Sequence, residues 1–373
     1  MAGATSSTRV VSKRAFEAVP NFSEGSDQAL LEMLAADRHV VDIHADADHN
    51  RSVLTLAGAD LSSLSDTLFA MVTLATERID MRRHSGVHPR VGAADVVPFV
   101  PLGEAALSDA VSAALALGER IWRELGVPVY FYGDAAGGRR LADVRAGRVQ
   151  PDLGGAHHPT AGAVCVGARQ GLVAFNVAFS GLPMVRARRI ASLMRELPGV
   201  HALAFQLSGG RAQISMNLVR LEETSVPEAY RRACDLAGLQ GEPELVGLCP
   251  AAAAGPGCDG GLLEGRLAAA AGRLAAEAAR DRGGDEMARV AERLNAESRS
   301  LAATPADQEA MLAGAERAAA LIRVLVAAGL SAPELDSLLA LSAAGFRDAV
   351  TPETAARFHQ RVDLMDAWLE SLR

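Results

Sequence analysis

Aromatic side chains are scarce in this chain of 373 residues: two Trp, three Tyr and ten Phe. The apolar fraction of 49% is still ample for burial, and the 22% of charged residues is close to a globular average, so wholesale disorder is excluded. Cysteine is rare too. The four, Cys165, Cys234, Cys249 and Cys258, form no CxxC pair, and no disulfide framework is indicated. Basic excess is missing: the net charge is −8, and no basic stripe marks a nucleic-acid binder. The first residues, "MAGATSSTRVVSKRAF", lack the apolar core of a signal peptide, and residues 1–12 read as a disordered tail. The most apolar stretch, 311–330, carries Glu316, Arg317 and Arg323, which argues against a membrane helix. A cytoplasmic protein is expected. The α/β part contains no GxSxG elbow, P-loop or GxGxxG, so serine hydrolase, NTPase and Rossmann chemistry have no support.

What is present is short β-branched runs between helical patterns. "RAFEAV", "HVVDIH", "SVLTLAG", "ADVVPFV" and "VPVYFYG" read as strands. "SDQALLEMLAA" reads as a helix with Ser26 as its cap, and two longer helices follow. The order of the first six elements matches a split βαβ unit. A second set, ββαββαβ, begins with "AVCVGA" and "GLVAFNVAF". Two α/β subdomains, 13–150 and 151–252, are expected, with a cleft between them. Residues 253–261 read as a flexible Gly/Pro linker, and 262–373 as an all-α domain of Ala, Leu, Glu and Arg. Thr304 and Thr351, each before a proline, are expected helix starts. The last helix, with Leu364, Trp368 and Leu372 at i, i+4 spacing, reads as a docking element. His359, the domain's single histidine, suits packing better than catalysis.

Six of the nine histidines lie in three loops. "VVDIHADADHNRS" carries His44, Asp46, His49, Asn50 and Arg51; "HSGVHPR" carries His84, His88 and Arg90; "PDLGGAHHPTAG" carries His157 and His158. Such clustering of ionisable groups marks a candidate site, although Asx turns and loop shaping explain any one motif alone. Two chemistries compete on these residues. One is a metal site. Against it, "HADADHN" has no recognised ligand spacing, and Gly86 and Pro89 keep His84 and His88 off a helix. The other is metal-free general acid–base work by one histidine near neutral pH.

Seven motifs in one order then become recognisable: "VPNFSEG" (19–25), "DADHNRSV" (46–53), "HPRVGAADVVPFVPL" (88–102), "VPVYFYGDAA" (127–136), "AGAVCVGARQGLVAFNV" (161–177), "QISMNL" (213–218) and "ELVGLCP" (244–250). Over residues 14–250 the chain resembles the glutamate formimidoyltransferase family, the formiminotransferase half of formiminotransferase-cyclodeaminase. The resemblance implies an α/β (α+β) fold of two formiminotransferase-type subdomains, each a sheet with packed helices, and a homodimer. It implies transfer of a formimino group from N-formimino-L-glutamate to tetrahydrofolate, a co-substrate of histidine breakdown, with no metal, membrane or nucleic acid involved. His88 falls on the family's catalytic histidine, a general base; His44, Asp46 and Asn50 would orient it or bind the amidine. The folate-contacting stretch falls on Gly154, Gly155, Ala156, His157, His158, Pro159, Thr160, Ala161 and Gly162. Asn50, Arg51, Arg90 and Arg169 are the candidates for holding the donor. The segment between "YGDAA" and "PDLGG" is shorter than the family's. This keeps a paralogue with another one-carbon donor or acceptor, or an inactive folate binder, as the alternative.

Overall fold

The computed structural model describes residues 13–330 and 332–357. The chain begins with β1 (Arg14–Ala18), β2 (Asn21–Phe22), α1 (Gln28–Ala35), β3 (Val40–Asp46), β4 (Arg51–Gly58) and α2 (Leu61–Arg78). Next come β5 (Ala94–Gly103), α3 (Leu107–Leu125), β6 (Val129–Gly133), α4 (Leu141–Arg145) and β7 (Val164–Ala168). These strands form one seven-stranded sheet in the order β3, β4, then β1 and β2 end to end, β5, β7, β6. The β1–β5 pairs are antiparallel, whereas β5, β7 and β6 run parallel.

The remaining strands, β8 (Val173–Phe179), β9 (Val200–Gln206), β10 (Ala212–Leu218) and β11 (Glu242–Val246), form an antiparallel sheet in the order β11, β8, β10, β9. Between them lie α5 (Met184–Met194) and α6 (Val226–Ala237). Residues 262 onward form α7 (Leu263–Arg282), α8 (Asp285–Ala302), α9 (Gln308–Ala327), α10 (Pro333–Ala349) and α11 (Pro352–Arg357). Residues 1–12, His359, Leu364, Trp368 and Leu372 lie outside the described residues.

Alternation decides which face of each strand meets the core. On β4, Leu54 and Leu56 pack with α1, α2 and α3, while Ala57 faces the other way, into a core shared with the second sheet and α7–α10. On the second sheet, Phe175, Val177, Ile214 and Met216 are buried in that same core. Its opposite face carries Asn176, Phe205, Gln213, Glu242 and Glu244, alternate residues placed side by side by the strand register.

Several expectations need correction. Val164–Ala168 belongs to the first sheet, not to the second unit begun at 151. It is fully buried and sits between β5 and β6, where a parallel strand needs apolar residues on both faces. The segment read as a flexible linker is packed. Cys249 donates its N–H to Gly261 O at 2.9 Å, Cys258 is buried, and Gly260 N–H reaches Thr304 O. The tail is therefore not a separate body. Ala15, Val41 and Ala57 of the first sheet share one core with Leu267, Leu321, Leu339 and Phe346, and Arg266 reaches Asp42 at 3.2 Å. Among the caps, Asp27, not Ser26, accepts from Leu30 N–H, and Asp307, not Thr304, caps α9. Thr351 does cap α11, accepting from Thr354 N–H.

Phe346 has no exposed surface and its ring lies over Gly314. Phe346→Ala should cost about 3–5 kcal/mol in urea denaturation. The shared core predicts that the loss lowers the unfolding midpoint of the α/β part as well as that of the helices.

Candidate functional site

The polar face of the second sheet meets the β3–β4 hairpin and the loop 81–93 of the first, and the site lies where they face each other. The hairpin turns at Asn50, the one non-glycine residue with positive φ (43°) among the described residues, a backbone state that Asn tolerates. Gly25 and Gly86 lie so close to it that a Cβ would strike Asp46 O and His49 O respectively. Asn50 is spent on this packing: its Oδ1 accepts from Gly25 N–H, and its Nδ2 donates to Ser85 O and faces His84 Nδ1. It braces the two loops against each other.

His88 and His49 face each other across this junction with ring centroids 6.2 Å apart, and Phe205 from β9 stands 5.5 Å from His88 and 5.4 Å from His49. The hydrogen bonds fix both tautomers. His88 Nδ1 lies 2.9 Å from Pro89 O, so Nδ1 carries the proton and Nε2 keeps its lone pair. Gln213 Nε2 donates to Glu244 Oε2, which turns Gln213 Oε1 toward His49 Nε2 at 2.9 Å. Nε2 of His49 is therefore the protonated nitrogen. Its Nδ1, buried and unpartnered, is an acceptor.

Behind His88 lies a buried cluster of charge. Asp95, with no exposed surface, accepts from Val91 N–H, from Arg90 at 3.3 Å and from Arg145 at 2.8 Å. Arg51 joins from β4. Arg51 Nε, Arg90 Nε and Nη2 and Arg145 Nε are all buried without a partner. Burial, then Arg145, Arg90 and Arg51, push the His88 pKa down to about 3. Burial likewise lowers His49, reinforced by Arg51 and Arg90 against Asp46 and Gln213. Both rings are neutral at pH 7.

On the other side of the junction His44 Nε2 lies 3.4 Å from Glu244 Oε1, while Asn176 and Gln213 donate to Oε2. His44 above all, then Asn176, holds the Glu244 carboxyl below its ordinary range despite burial. Asp46 accepts from His49 N–H. An open cleft of about 380 Å³ adjoins this wall, bounded by Asp46, Asp48, Leu207, Arg211, Gln213 and Glu244.

The structure thus brings His88, Asp46, Arg51 and Arg90 around one junction, with His44 beside it on Glu244. It places Arg169 elsewhere on the sheet, among Glu17 and Tyr132, where it donates to Gln170 O. His49, marked by its loop, joins the residues at the junction; Arg145, Asp95, Phe205, Gln213 and Glu244 carry no such signal in sequence. The strip 154–162 runs beside the His88 loop: Thr160 O accepts from Met81 N–H, Ala161 O from Ala93 N–H, and Ala163 N–H reaches Val91 O. Within it, His157 bonds Tyr130 OH at 3.0 Å, and His158 Nδ1 accepts from Ala161 N–H.

The first sheet coincides with a match to the formiminotransferase domain, N-terminal subdomain, over residues 15–169. The glutamate formimidoyltransferase of Streptococcus pyogenes serotype M1 is 38% identical over 272 residues, covering 64% of this chain and 89% of that protein. That of Thermoplasma acidophilum is 38% identical over 266 residues, covering 63% and 88%. The chain belongs to the glutamate formimidoyltransferase family. The formimidoyltransferase-cyclodeaminase of Gallus gallus is 36% identical over 271 residues, which cover 63% of this chain and half of that protein. The family match ends at Arg169, just past the last strand of the first sheet, which agrees with placing Val164–Ala168 there. Among the described residues no helix is long and apolar enough to cross a membrane, and no three His, Cys, Asp or Glu converge as metal ligands would.

Burial alone would raise the Asp95 pKa, but Arg145 and Arg90 outweigh it and hold it below the ordinary value. A depressed carboxyl stabilises the fold above its unfolded pKa, about 3.9, and that stability is lost as pH falls through the folded value. Asp95→Asn leaves the guanidinium cluster without its carboxylate and should cost about 3–5 kcal/mol at pH 7. The variant should also lose part of the wild type's acid-side decline in a urea series from pH 7 to pH 3.

Proposed function

We propose that the protein transfers the formimino group of N-formimino-L-glutamate to a ring nitrogen of tetrahydrofolate, with His88 Nε2 as general base. The observation that carries this reading is the free lone pair of His88, beside a cationic cluster on one side and an acidic cleft on the other. The donor carries groups that match both: an amidine on its α-nitrogen with the α-carboxylate beside it, and the γ-carboxylate at the far end of the side chain. Arg51 and Arg90 suit the carboxylates, because guanidinium N–H groups pair with them bidentately. The cationic amidine suits Asp46 and the Glu244–His44 pair. Tetrahydrofolate would lie along Gly154–Gly162, its ring against Phe205 and its nitrogen toward His88.

The reaction then balances as follows. The ring nitrogen attacks the amidine carbon, and its proton passes to His88 Nε2. The tetrahedral adduct collapses by breaking the bond from that carbon to the glutamate nitrogen, which takes the proton back from His88. The products are formimino-tetrahydrofolate and glutamate, and His88 returns to its starting state. Holding both reactants at one junction supplies the orientation that the bimolecular reaction lacks in water. The domain limits extend this reading: a first unit to about Ala168, a second to about Pro250, and the helical remainder as the brace against which both pack. A cytoplasmic homodimer is the form proposed for the working enzyme.

Tetrahydrofolate incubated with formiminoglutamate and the protein should show the absorbance change of a substituted folate and release glutamate in equal amount. His88→Asn should cut that turnover by about 100-fold or more, with the circular dichroism and melting curve kept. Folate binding without product from any formimino donor would favour the inactive-binder alternative, and near-wild-type turnover in the variant would remove His88 from the mechanism.

A further inference from the structure

The buried guanidinium cluster is more than a cradle for charge. Arg51, Arg90 and Arg145 come from β4, the His88 loop and α4, and the only carboxylate hydrogen-bonded to any of them among the described residues is Asp95. The Arg90 side chain is 3% exposed, yet its Nε and Nη2 have no acceptor, and neither do Arg51 Nε and Arg145 Nε. Buried guanidinium N–H groups without acceptors are costly, and an anion at this place would satisfy them.

We propose that a carboxylate of the donor seats on Arg90, Arg145 and Arg51, and that its arrival is what turns His88 into an effective base. This deepens the formimino-transfer reading and rests on it. The physical link is distance-dependent charge. In the empty protein a proton on His88 meets three guanidinium groups in a partly buried setting, so His88 is neutral and a poor proton acceptor. A bound carboxylate cancels part of that field and makes the imidazolium easier to form. The other groups facing His88 supply only part of this charge: His49 is neutral, Phe205 is apolar, Asp95 is already shared by Arg90 and Arg145, and Asp46 and Glu244, which act on Arg51, also serve His49, Gln213, Asn176 and His44. The order of events follows. The donor binds first, and only then can the acceptor's ring nitrogen lose its proton to His88. Folate bound to a donor-free enzyme is not deprotonated, so the base is engaged only when there is a group to transfer.

Glutarate, a dicarboxylate with no amidine, is the probe. The His88 ring signals, assigned by their loss in His88→Asn, are titrated by heteronuclear NMR with and without saturating glutarate. The titration midpoint should rise by at least about one unit when glutarate is bound. Arg145→Gln should weaken glutarate at least about tenfold and shrink the shift, whereas Arg145→Lys, which keeps the charge, should retain more of both. Glutarate binding with the midpoint unmoved, binding equally tight in Arg145→Gln, or no binding at all would each overturn the proposal. Turnover decides the underlying reading separately. A glutarate-dependent midpoint in a protein that makes no formimino-tetrahydrofolate would leave the carboxylate site standing and sink the transfer reaction.

Discussion

The contact on which the site depends is the buried carboxylate of Asp95. It sits on β5 with no exposed surface and ties together Val91 N–H, Arg90 and Arg145. Without it the three guanidinium groups at this junction would repel one another in a setting only partly open to water. With it, Arg90 is pinned next to His88 and the stretch between them takes one shape. A lone buried ion pair is weak evidence for stability. Its value here is positional, because it fixes where the remaining guanidinium N–H groups point.

The rest of the architecture brings a second wall to that point. Sheet alternation leaves one face of β8–β11 polar, and the helices α7–α10 hold that sheet against the first by sharing its core. Arg266 on Asp42 and Arg273 on Val40 O bolt α7 to β3, the strand that carries His44 and Asp46. Phe205, Gln213 and Glu244 then face the His88 loop from across the junction. The helical part supplies no group to this chemistry among the described residues, yet it sets the distance between the two walls.

Much of this was legible from sequence. Strand runs and helix periods are local properties, and every strand read from the first half is present in the first sheet. His88 stood out because two histidines, two glycines and a proline in one short loop are hard to explain by packing. Arg145 gave no such signal. It lies in an ordinary helical turn, fifty positions from Asp95, and only tertiary structure brings them together. Gln213 and Glu244 lie within recognisable motifs, but nothing in their spacing marks them as functional. The alternation of "RAQISMN" puts Gln213 on a polar face. In sequence, the short link from Val164–Ala168 to the next strand looks like a hairpin. Hydrogen bonding to β5 and β6, invisible in sequence, won instead. Gly and Pro between elements suggest a tether in sequence. Here they make tight turns that let the chain pack back on itself.

The central claim is that the two walls form one site with donor and folate meeting at His88. A crystal structure of the protein with glutarate and a stable tetrahydrofolate analogue tests it most directly. The account predicts a carboxylate within hydrogen-bond distance of Arg90 and Arg145, and the folate ring nitrogen within about 3 Å of His88 Nε2. A folate ring bound away from the junction, or a carboxylate held anywhere but the guanidinium cluster, would contradict it.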